Sequence, residues 1–434
     1  MEDGLLKAVD YSLDELMIVG SGGNAVRLDQ VVKEINIFED LFSNIMSGDI
    51  FINDTQNIIN VLPIVGAEYL RITFSKPSTP WKMSQTFRVY KITDRKKVSA
   101  FSENYVLHFC SEEAILNESI KISKAYKGMP VSKIVKDIAT TYLGITPDKF
   151  PDRFLVQTTD AIDVIVPYWT PFYTINWLAR IARTGFAPGC SFVFFEDHEG
   201  FHFAPIEMLT QQAELQAINF MPMNNNKESE DTDTSIMKLQ HESAQEYELV
   251  NAPDTLRGIT SGLYASKLVR INPLDQRIDI STLDGTRQFK SLRHANKYPY
   301  TQTDRDRLNL QQHEHTNAFF RVAVDNLKVE SWMLQRNFYL TSLHGFQLKV
   351  VVAGNMNYRV GQVVTVNLPA ATHPTRDQKP IDALYSGNYL ITAIRHKLDR
   401  TKYVCILELS KDSLVTPLPT PVEGNPTVNT LRRS

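Results

Sequence analysis

Two segments near opposite ends of this 434-residue chain resemble each other, and this similarity limits the possible fold more than any other feature. Residues 87–116 and residues 389–414 each have the pattern of an alternating strand, a basic turn and a second alternating strand. In both segments the second strand begins with Tyr-Val and ends in Ser and acidic residues. Their apolar positions agree in parity, as pairing in one register requires. Because any two antiparallel hairpins share alternation and a Lys/Arg-rich turn, duplication and coincidence both remain open.

The first 112 residues have the pattern of an antiparallel β domain. Segment 68–74 alternates cleanly between apolar and polar residues, and turn signals occur at 20–24 and 47–49. Strands of a parallel sheet are normally apolar on both faces, so clean alternation indicates antiparallel strands with one face in water. Strand patterns return between residues 346 and 409.

The residues after 112 change to helical periodicity. Ile134, Ile138 and Tyr142 are four residues apart, which predicts an amphipathic helix. A second helix is predicted at 174–183, with Thr174 as its N-cap. An aromatic strand–turn–strand pattern follows, so this middle region is predicted to be mixed α and β.

These patterns predict an α+β chain, mainly β, divided into six parts. An acidic segment without large apolar residues is typical of a linker, and a tail rich in proline is typical of an extended segment. The predicted parts are an N-terminal β domain at 1–112, a mixed α/β domain at 113–222, an acidic loop at 223–235, a second β domain at 236–271 and 340–415, an irregular insertion at 272–339 with a helix near 326–343, and a Pro-rich tail at 416–434.

One motif in the chain matches a zinc-protease signature. His198, Glu199 and His202 fit H-E-x-x-H, which needs a helix to place both histidines on one face. Here the motif lies between two aromatic, alternating segments with Gly200 at its centre, and this context favours a hairpin turn. A zinc-dependent hydrolase that uses these three residues is therefore an alternative that the local pattern disfavours.

Other candidate sites are weaker. The pair His313 and His315 lies in a Gln- and Asn-rich context typical of a surface, and the glycine-rich segment 20–24 lacks the Lys-Ser/Thr of a phosphate loop. We predict no catalytic, cofactor-binding or metal-binding residues and no cofactor. A protein that binds a partner or a carbohydrate through exposed aromatic residues is a third possible function.

Composition excludes some classes of protein. The formal net charge of −3 gives no overall basic field for nucleic acid, and no run of 18 apolar residues predicts a membrane span. Three cysteines, far apart in sequence, argue against a disulfide scaffold and for folding in a reducing compartment.

Four blocks of sequence resemble the baseplate central hub proteins of contractile-tailed bacteriophages, which group with the late control D and VgrG-type hubs. Each block consists mainly of strand and turn residues, and their joint order along the chain is more specific than any one of them. The blocks are 35–42 with 47–54 and 62–70, 171–180 with 192–203, 258–266, and 361–366 with 384–391.

This resemblance implies a structural protein of the virion and not an enzyme. It implies two tail-tube-like antiparallel β-barrel domains with the α/β domain between them. It also implies a homotrimer whose six barrels form a pseudo-sixfold ring between the tail tube and the central spike. The implied partners are the tail tube protein, the spike protein and other baseplate proteins, with DNA only as cargo in the lumen. Synthesis in the host cytoplasm and assembly into the phage tail baseplate are expected.

Overall fold

The computed structural model describes most of the chain. The described residues are 9–20, 22–62, 64–66, 68–77, 81–99, 101–185, 189–220, 243–302, 317–322, 327–370 and 381–418. The predicted acidic loop at 223–235 and most of the Pro-rich tail at 416–434 lie outside these ranges, as do His313 and His315.

Strands make up most of the regular structure. They are β1 (Ser12–Val19), β2 (Ala25–Arg27), β3 (Val32–Asp40), β4 (Ser47–Asp54), β5 (Tyr69–Ser75), β6 (Lys82–Ser99), β7 (Ser102–Cys110), β8 (Ile122–Pro130), β9 (Ala161–Trp169), β10 (Phe192–Asp197), β11 (Gly200–Pro205), β12 (Ala217–Phe220), β13 (Ser243–Asn251), β14 (Ala265–Asn272), β15 (Arg277–Asp284), β16 (Asn317–Val322), β17 (Phe346–Ala353), β18 (Val363–Asn367), β19 (Gly387–Asp399) and β20 (Tyr403–Lys411). The helices are α1 (Ile58–Val61), α2 (Glu112–Ser119), α3 (Val131–Thr141), α4 (Pro171–Ile181), α5 (Ile206–Leu209), α6 (Thr255–Ser261), α7 (Gly285–Ser291) and α8 (Met333–Leu343), with 3-10 turns at Asp152–Phe154, Tyr300–Gln302 and Val329–Ser331.

The N-terminal strands form a sheet in the order β3-β4-β7-β6-β5-β1-β2, in which every neighbouring pair is antiparallel. The alternation of the sequence explains its two faces. In β4, Ile50 and Ile52 are fully buried, whereas Phe51 between them is 44% exposed. The predicted antiparallel sheet with one wet face is confirmed.

A second set of strands closes into a barrel. The order is β18-β12-β13-β17-β20-β19, and β19 returns to β18 through pairs such as Val363 with Leu390. The predicted mainly β fold class is confirmed, and the second of the two predicted barrels is closed, whereas the described strands of the N-terminal sheet show no pairing that returns from β2 to β3. The short strand β12 pairs in parallel with both β13 and β18. It therefore completes the barrel, although the sequence placed it in the α/β domain.

The barrel and the N-terminal sheet are continuous because β19 serves both. Its first residues pair with β18, and residues 393–399 pair with β3 from Asp40 to Glu34. A β-bulge between Ile391 and Ala393 separates the two parts. The bulge residue Thr392 keeps its carbonyl paired, since it accepts a hydrogen bond from the Leu41 N–H at 2.9 Å.

Five strands of the N-terminal sheet have counterparts in the barrel. Strands β3, β4, β5, β6 and β7 follow one another in sequence and pair in the order β3-β4-β7-β6-β5. Strands β13, β17, β18, β19 and β20 also follow in sequence and pair in the order β13-β17-β20-β19-β18. We call the first set unit 1 and the second set unit 2. The same order in sequence and in space indicates duplication, which alternation alone left open.

The hairpins that first suggested duplication agree in detail. In the β6–β7 hairpin a bulge falls between Val89 and Lys91, and the equivalent bulge of β19–β20 falls between Ile391 and Ala393. The first strands therefore align as the sequence predicted. The second strands align two residues differently, so that Tyr105 does not correspond to Tyr403. A shift of two preserves the face on which each side chain lies.

The α/β region contains a repeat of its own. The pattern of buried and exposed positions in strand β8 and helix α3 is repeated in strand β9 and helix α4. In this repeat, Gly128 of the first copy corresponds to Tyr168 of the second. These two residues have φ values of 61° and 59°. In the β8–β9 pair, Ala125 lies opposite its counterpart Ile165, so the two halves are related by a local twofold axis.

The structure corrects three predictions in the middle and late regions. Helix α4 begins at Pro171 after an N-cap at Thr170, not at Thr174, because proline suits the first helical position. The predicted barrel segment 236–271 supplies β13 to the barrel, but its later part contains α6 and most of strand β14. Strand β14 lies in a separate sheet of order β15-β14-β16. A barrel strand and an insertion strand show the same alternation, and only their distant partners distinguish them. The predicted helix near 326–343 is shorter, since α8 follows a 3-10 turn.

Strand β10 joins two hydrophobic cores. Val193 and Phe195 belong to the core of the N-terminal sheet, barrel and insertion, whereas Phe192 and Phe194 belong to the core of the α/β region. This explains its continuous apolar sequence, since each face packs against a different core. All three cysteines are buried and unpaired. Within the described ranges, no helix is long and apolar enough to span a bilayer.

Candidate functional site

The H-E-x-x-H motif forms the turn of the β10–β11 hairpin. Asp197 pairs with Gly200, so His198 and Glu199 are the two turn residues and His202 lies on β11. Gly200 has a φ of 140°, and a Cβ there would lie 2.1 Å from the carbonyl oxygen of Lys149. The predicted hairpin is confirmed, and this backbone requires glycine.

The three motif side chains point to three different partners. The Nε2 atom of His202 lies 3.0 Å from Asp197 Oδ2, and its ring stacks on Phe195. Glu199 pairs with Arg359, and His198 reaches Glu39. Across the residues that the structure describes, no cluster of three or more His, Cys, Asp or Glu side chains is arranged to hold a metal.

A buried carboxylate, Glu39, lies where three parts of the chain meet. Its Oε1 atom is 2.9 Å from His198 Nδ1 and 3.4 Å from His396 Nε2. Glu39 belongs to β3 of the N-terminal sheet, His396 to β19 of the barrel and His198 to the hairpin of the α/β region. Glu39 and His396 are fully buried. We call these three residues the junction cluster.

The charges of the junction cluster stabilise one another. Burial alone would raise the pKa of Glu39, but the charges and hydrogen bonds of His198 and His396 lower it to about 2. Burial alone would lower the pKa of each histidine. Glu39 raises the pKa of His198, and Cys405 together with Glu39 raises that of His396. Each shift therefore reflects mutual stabilisation of the charged forms of Glu39 and its two histidine partners, as in a structural contact.

A second carboxylate attaches the same hairpin to the N-terminal sheet. Glu196 Oε2 accepts hydrogen bonds from the Ser111 hydroxyl and, at 2.8 Å, from the Met46 N–H. Burial and the nearby charge of Glu113 raise the pKa of Glu196 to about 8. A neutral acid at this position ties β10 to the start of β4 and the end of β7. The β10–β11 hairpin therefore connects the α/β region to the N-terminal sheet.

The β6–β7 hairpin is the most exposed apolar and basic feature of the N-terminal sheet. Its tip carries Phe101 at 88% exposure and Val98 at 61%. Lys96 and Lys97, next to the tip, are also exposed. A projecting strand pair with basic sides and an apolar tip suits contact with another protein.

No motif in the sequence identifies Glu39, His396 or Cys405 as members of a site. The signal for Glu39 was the alternation of inward-facing and outward-facing positions along the strand. Glu39 shares the inward-facing parity of Ile35 and Ile37, so an acidic residue occupied a core position of an alternating strand. A buried acid needs a partner, and its partners come from β19 and the β10–β11 turn, which no local pattern connects to β3.

Comparison with known proteins agrees with the resemblance found in the sequence. The chain is 21% identical over 411 residues to a probable baseplate hub protein, gp334, of Vibrio phage KVP40, an alignment that covers 90% of this chain and 92% of that protein. No family model matches the chain.

Two solved structures share the fold over nearly their whole length. A tail protein from Neisseria meningitidis MC58 superposes with a TM-score of 0.54 and 14% identity, covering 93% of this chain and 97% of that one. The 43 kDa tail protein of prophage MuSo2 from Shewanella oneidensis superposes with a TM-score of 0.55 and 9% identity, covering 92% and 99%. The predicted resemblance to phage hub proteins is confirmed.

Proposed function

We propose that this relative of phage baseplate hub proteins is the structural hub of a contractile tail, where it joins the tail tube to the central spike. The observation that carries the proposal is the duplication of a five-strand unit within a chain related along its length to a hub protein. Two units per chain allow three chains to present six similar surfaces. A trimer would therefore meet a sixfold tube on one side and a threefold spike on the other.

The contacts that hold the two units and the α/β region together support this function. A symmetry adaptor must hold its two units in one fixed relation, and the junction cluster binds unit 1, unit 2 and the α/β region together at one buried point. Continuous pairing of β3 with β19 fixes the same relation through the backbone. Both features favour a rigid assembly part.

The zinc-hydrolase alternative gains no support from the geometry. His198, Glu199 and His202 each serve a different partner in a hairpin, so they share no point at which a metal and a water could meet. The related proteins are named for tails and baseplates. We therefore propose no catalytic role for the chain.

Assembly with tail tube protein tests the proposal. The purified chain would be mixed with tube protein from the same phage and imaged by negative-stain electron microscopy. We expect a ring at one end of each tube, because only one face of the hub matches the tube. Tubes with bare ends, together with a chain that stays monomeric at micromolar concentration, would contradict the proposal.

A further inference from the structure

Among the described residues, the only strand pairing between unit 1 and unit 2 of one chain is that of β3 with β19. Residues 393–399 of β19 in unit 2 run antiparallel to residues 34–40 of β3 in unit 1. On the outer face of this pair, Lys397 Nζ lies 3.0 Å from Glu34 Oε2. Arg395 Nη2 also lies 3.3 Å from Glu34 Oε1, and its Nε donates a hydrogen bond to Asn36 Oδ1 at 2.9 Å. The outer face of the contact therefore combines backbone pairing with ion pairs to Glu34, and the buried face holds Glu39 and His396 of the junction cluster.

The counterpart of β3 in unit 2 is β13. Registers with the next strand fix the equivalence: Glu34 pairs with Phe51 in unit 1, and Glu246 pairs with Val351 in unit 2. In the same way Asn36 corresponds to Glu248, since they pair with Asp49 and Lys349. The acidic residue of the ion pair thus has an acidic counterpart, Glu246.

The counterpart of β19 in unit 1 is β6. Lys397 pairs with Val404, and Lys96 pairs with Asn104 at the equivalent place of the β6–β7 hairpin. The basic residue of the ion pair therefore also has a basic counterpart, Lys96. Both halves of the Lys397–Glu34 ion pair are therefore present again, one on each unit, whereas Arg395 corresponds to Thr93.

These second halves lie on open strand edges. Among the described pairings, β6 beyond Arg88 has only β7 beside it, and β13 beyond Ala244 has only β17 beside it. Residues 94–99 and 246–250 are all exposed. In unit 1 the edge equivalent to that of β13 is covered by β19.

We propose that the β6 edge of one copy of this chain pairs with the β13 edge of the next copy, with Lys96 on Glu246 in place of Lys397 on Glu34. The register of the internal contact puts Lys96 directly opposite Glu248. Each copy then repeats between chains the contact that it already makes within itself. A head-to-tail contact of this kind closes into a ring when the rotation allows it.

The number of three copies rests on the proposed function, but the choice of edges does not. Open edges attract other strands, and their pairing with a second copy satisfies the unpaired backbone groups of both. The charges select the partner, because the β6 edge carries Lys96 and Lys97 whereas the β13 edge carries Glu246 and Glu248. Opposite charges on facing strands stabilise the pair, and like charges oppose the pairing of two β6 edges.

Disulfide trapping tests the register directly. Directly opposite residues of antiparallel strands have Cβ atoms roughly 4.5–5.5 Å apart, close enough to bridge after small adjustments. A chain with Lys96→Cys and Glu248→Cys is expected to form covalent multimers under mild oxidation. The matched control combines Lys96→Cys with Leu256→Cys, since Leu256 is 77% exposed on α6 and lies away from the register. The three native cysteines are buried and contribute little background.

Charge reversal tests the ion pair without relying on a cross-link. Lys96→Glu is expected to raise the dissociation constant between copies about tenfold, because an attractive contact becomes repulsive. Glu246→Lys should do the same, and the two changes together should restore association. Lys127→Glu changes the charge equally at an exposed position on β8 and should have no effect. The mass would be measured by sedimentation velocity at several concentrations.

The outcomes separate this proposal from the hub itself. Rings on tail tubes without trapping of Cys-substituted Lys96 and Glu248 would overturn the strand pairing and leave the hub standing. Trapping in the control as readily as in the test pair would also overturn it, as would charge reversals that are not mutually restored. A chain that forms no rings and no multimers would overturn both proposals.

Discussion

Replacing Glu39 with Gln should destabilise the whole protein, because this residue holds three modules together. The side chain is fully buried and lies 2.9 Å from His198 and 3.4 Å from His396. Its pKa falls from 4.5 to about 2, and at about 1.4 kcal/mol for each pKa unit this corresponds to roughly 3–4 kcal/mol of interaction. Removal of one partner from a buried ion pair typically costs about 3–5 kcal/mol, which agrees.

The measurement is urea unfolding at pH 7, followed by tryptophan fluorescence. We expect Glu39→Gln to lower the free energy of unfolding by about 3 kcal/mol. Glu34→Gln is the matched control, since Glu34 lies on the same strand and pairs with Lys397, but at a partly exposed site. An exposed pair of this kind contributes about 1 kcal/mol or less. Equal effects of the two substitutions would refute the reasoning, because burial would then not matter.

Three further predictions concern pH and backbone strain. Glu39 has a lowered pKa, so its contribution to stability is lost as pH falls below about 4.5 towards 2. His198 and His396 have raised pKa values, so their contribution to stability is lost as pH rises above 6.5. The stability difference between wild type and Glu39→Gln should therefore be largest between about pH 4.5 and 6.5 in urea unfolding, and a flat difference from pH 3 to 9 would contradict this. Tyr168→Gly should stabilise the protein by about 1 kcal/mol in thermal unfolding, because a left-handed tyrosine is strained and its side chain is 72% exposed; a lower melting temperature would contradict this. Gly200→Ala should destabilise by more than about 2 kcal/mol or prevent folding, since its Cβ would overlap the Lys149 carbonyl, and a soluble variant of wild-type melting temperature would contradict this.

Local patterns in the sequence predicted the elements that depend on neighbours in the chain. Alternation predicted the β6–β7 and β19–β20 hairpins, and Gly200 between aromatic strands predicted the β10–β11 turn. The duplication was visible in the sequence only as a parity match. The alignment of Tyr105 with Tyr403 was wrong by two residues, because a repeated Tyr-Val pair does not determine which residues of the neighbouring strand lie opposite it.

Pairings between distant segments could not be predicted in the same way. Strand β14 alternates like a barrel strand but belongs to the insertion, and β12 contributes only four residues to the barrel. The junction cluster joins β3 to β19 and to the β10–β11 turn across most of the chain. In the sequence, Glu39 is an acidic residue at a position that the alternation assigns to the core. This indicates that Glu39 needs a buried partner, but it does not indicate which residue that partner is.

We propose that the two five-strand units of each chain act as neighbouring positions of one ring. The most direct measurement is a cryo-electron microscopy reconstruction of the assembled chain without imposed symmetry. We expect three copies, with unit 1 and unit 2 alternating around the axis at steps of about 60° and β6 of one copy beside β13 of the next. A particle in which the two units of a chain lie at different heights or are unrelated by rotation about the common axis would contradict it.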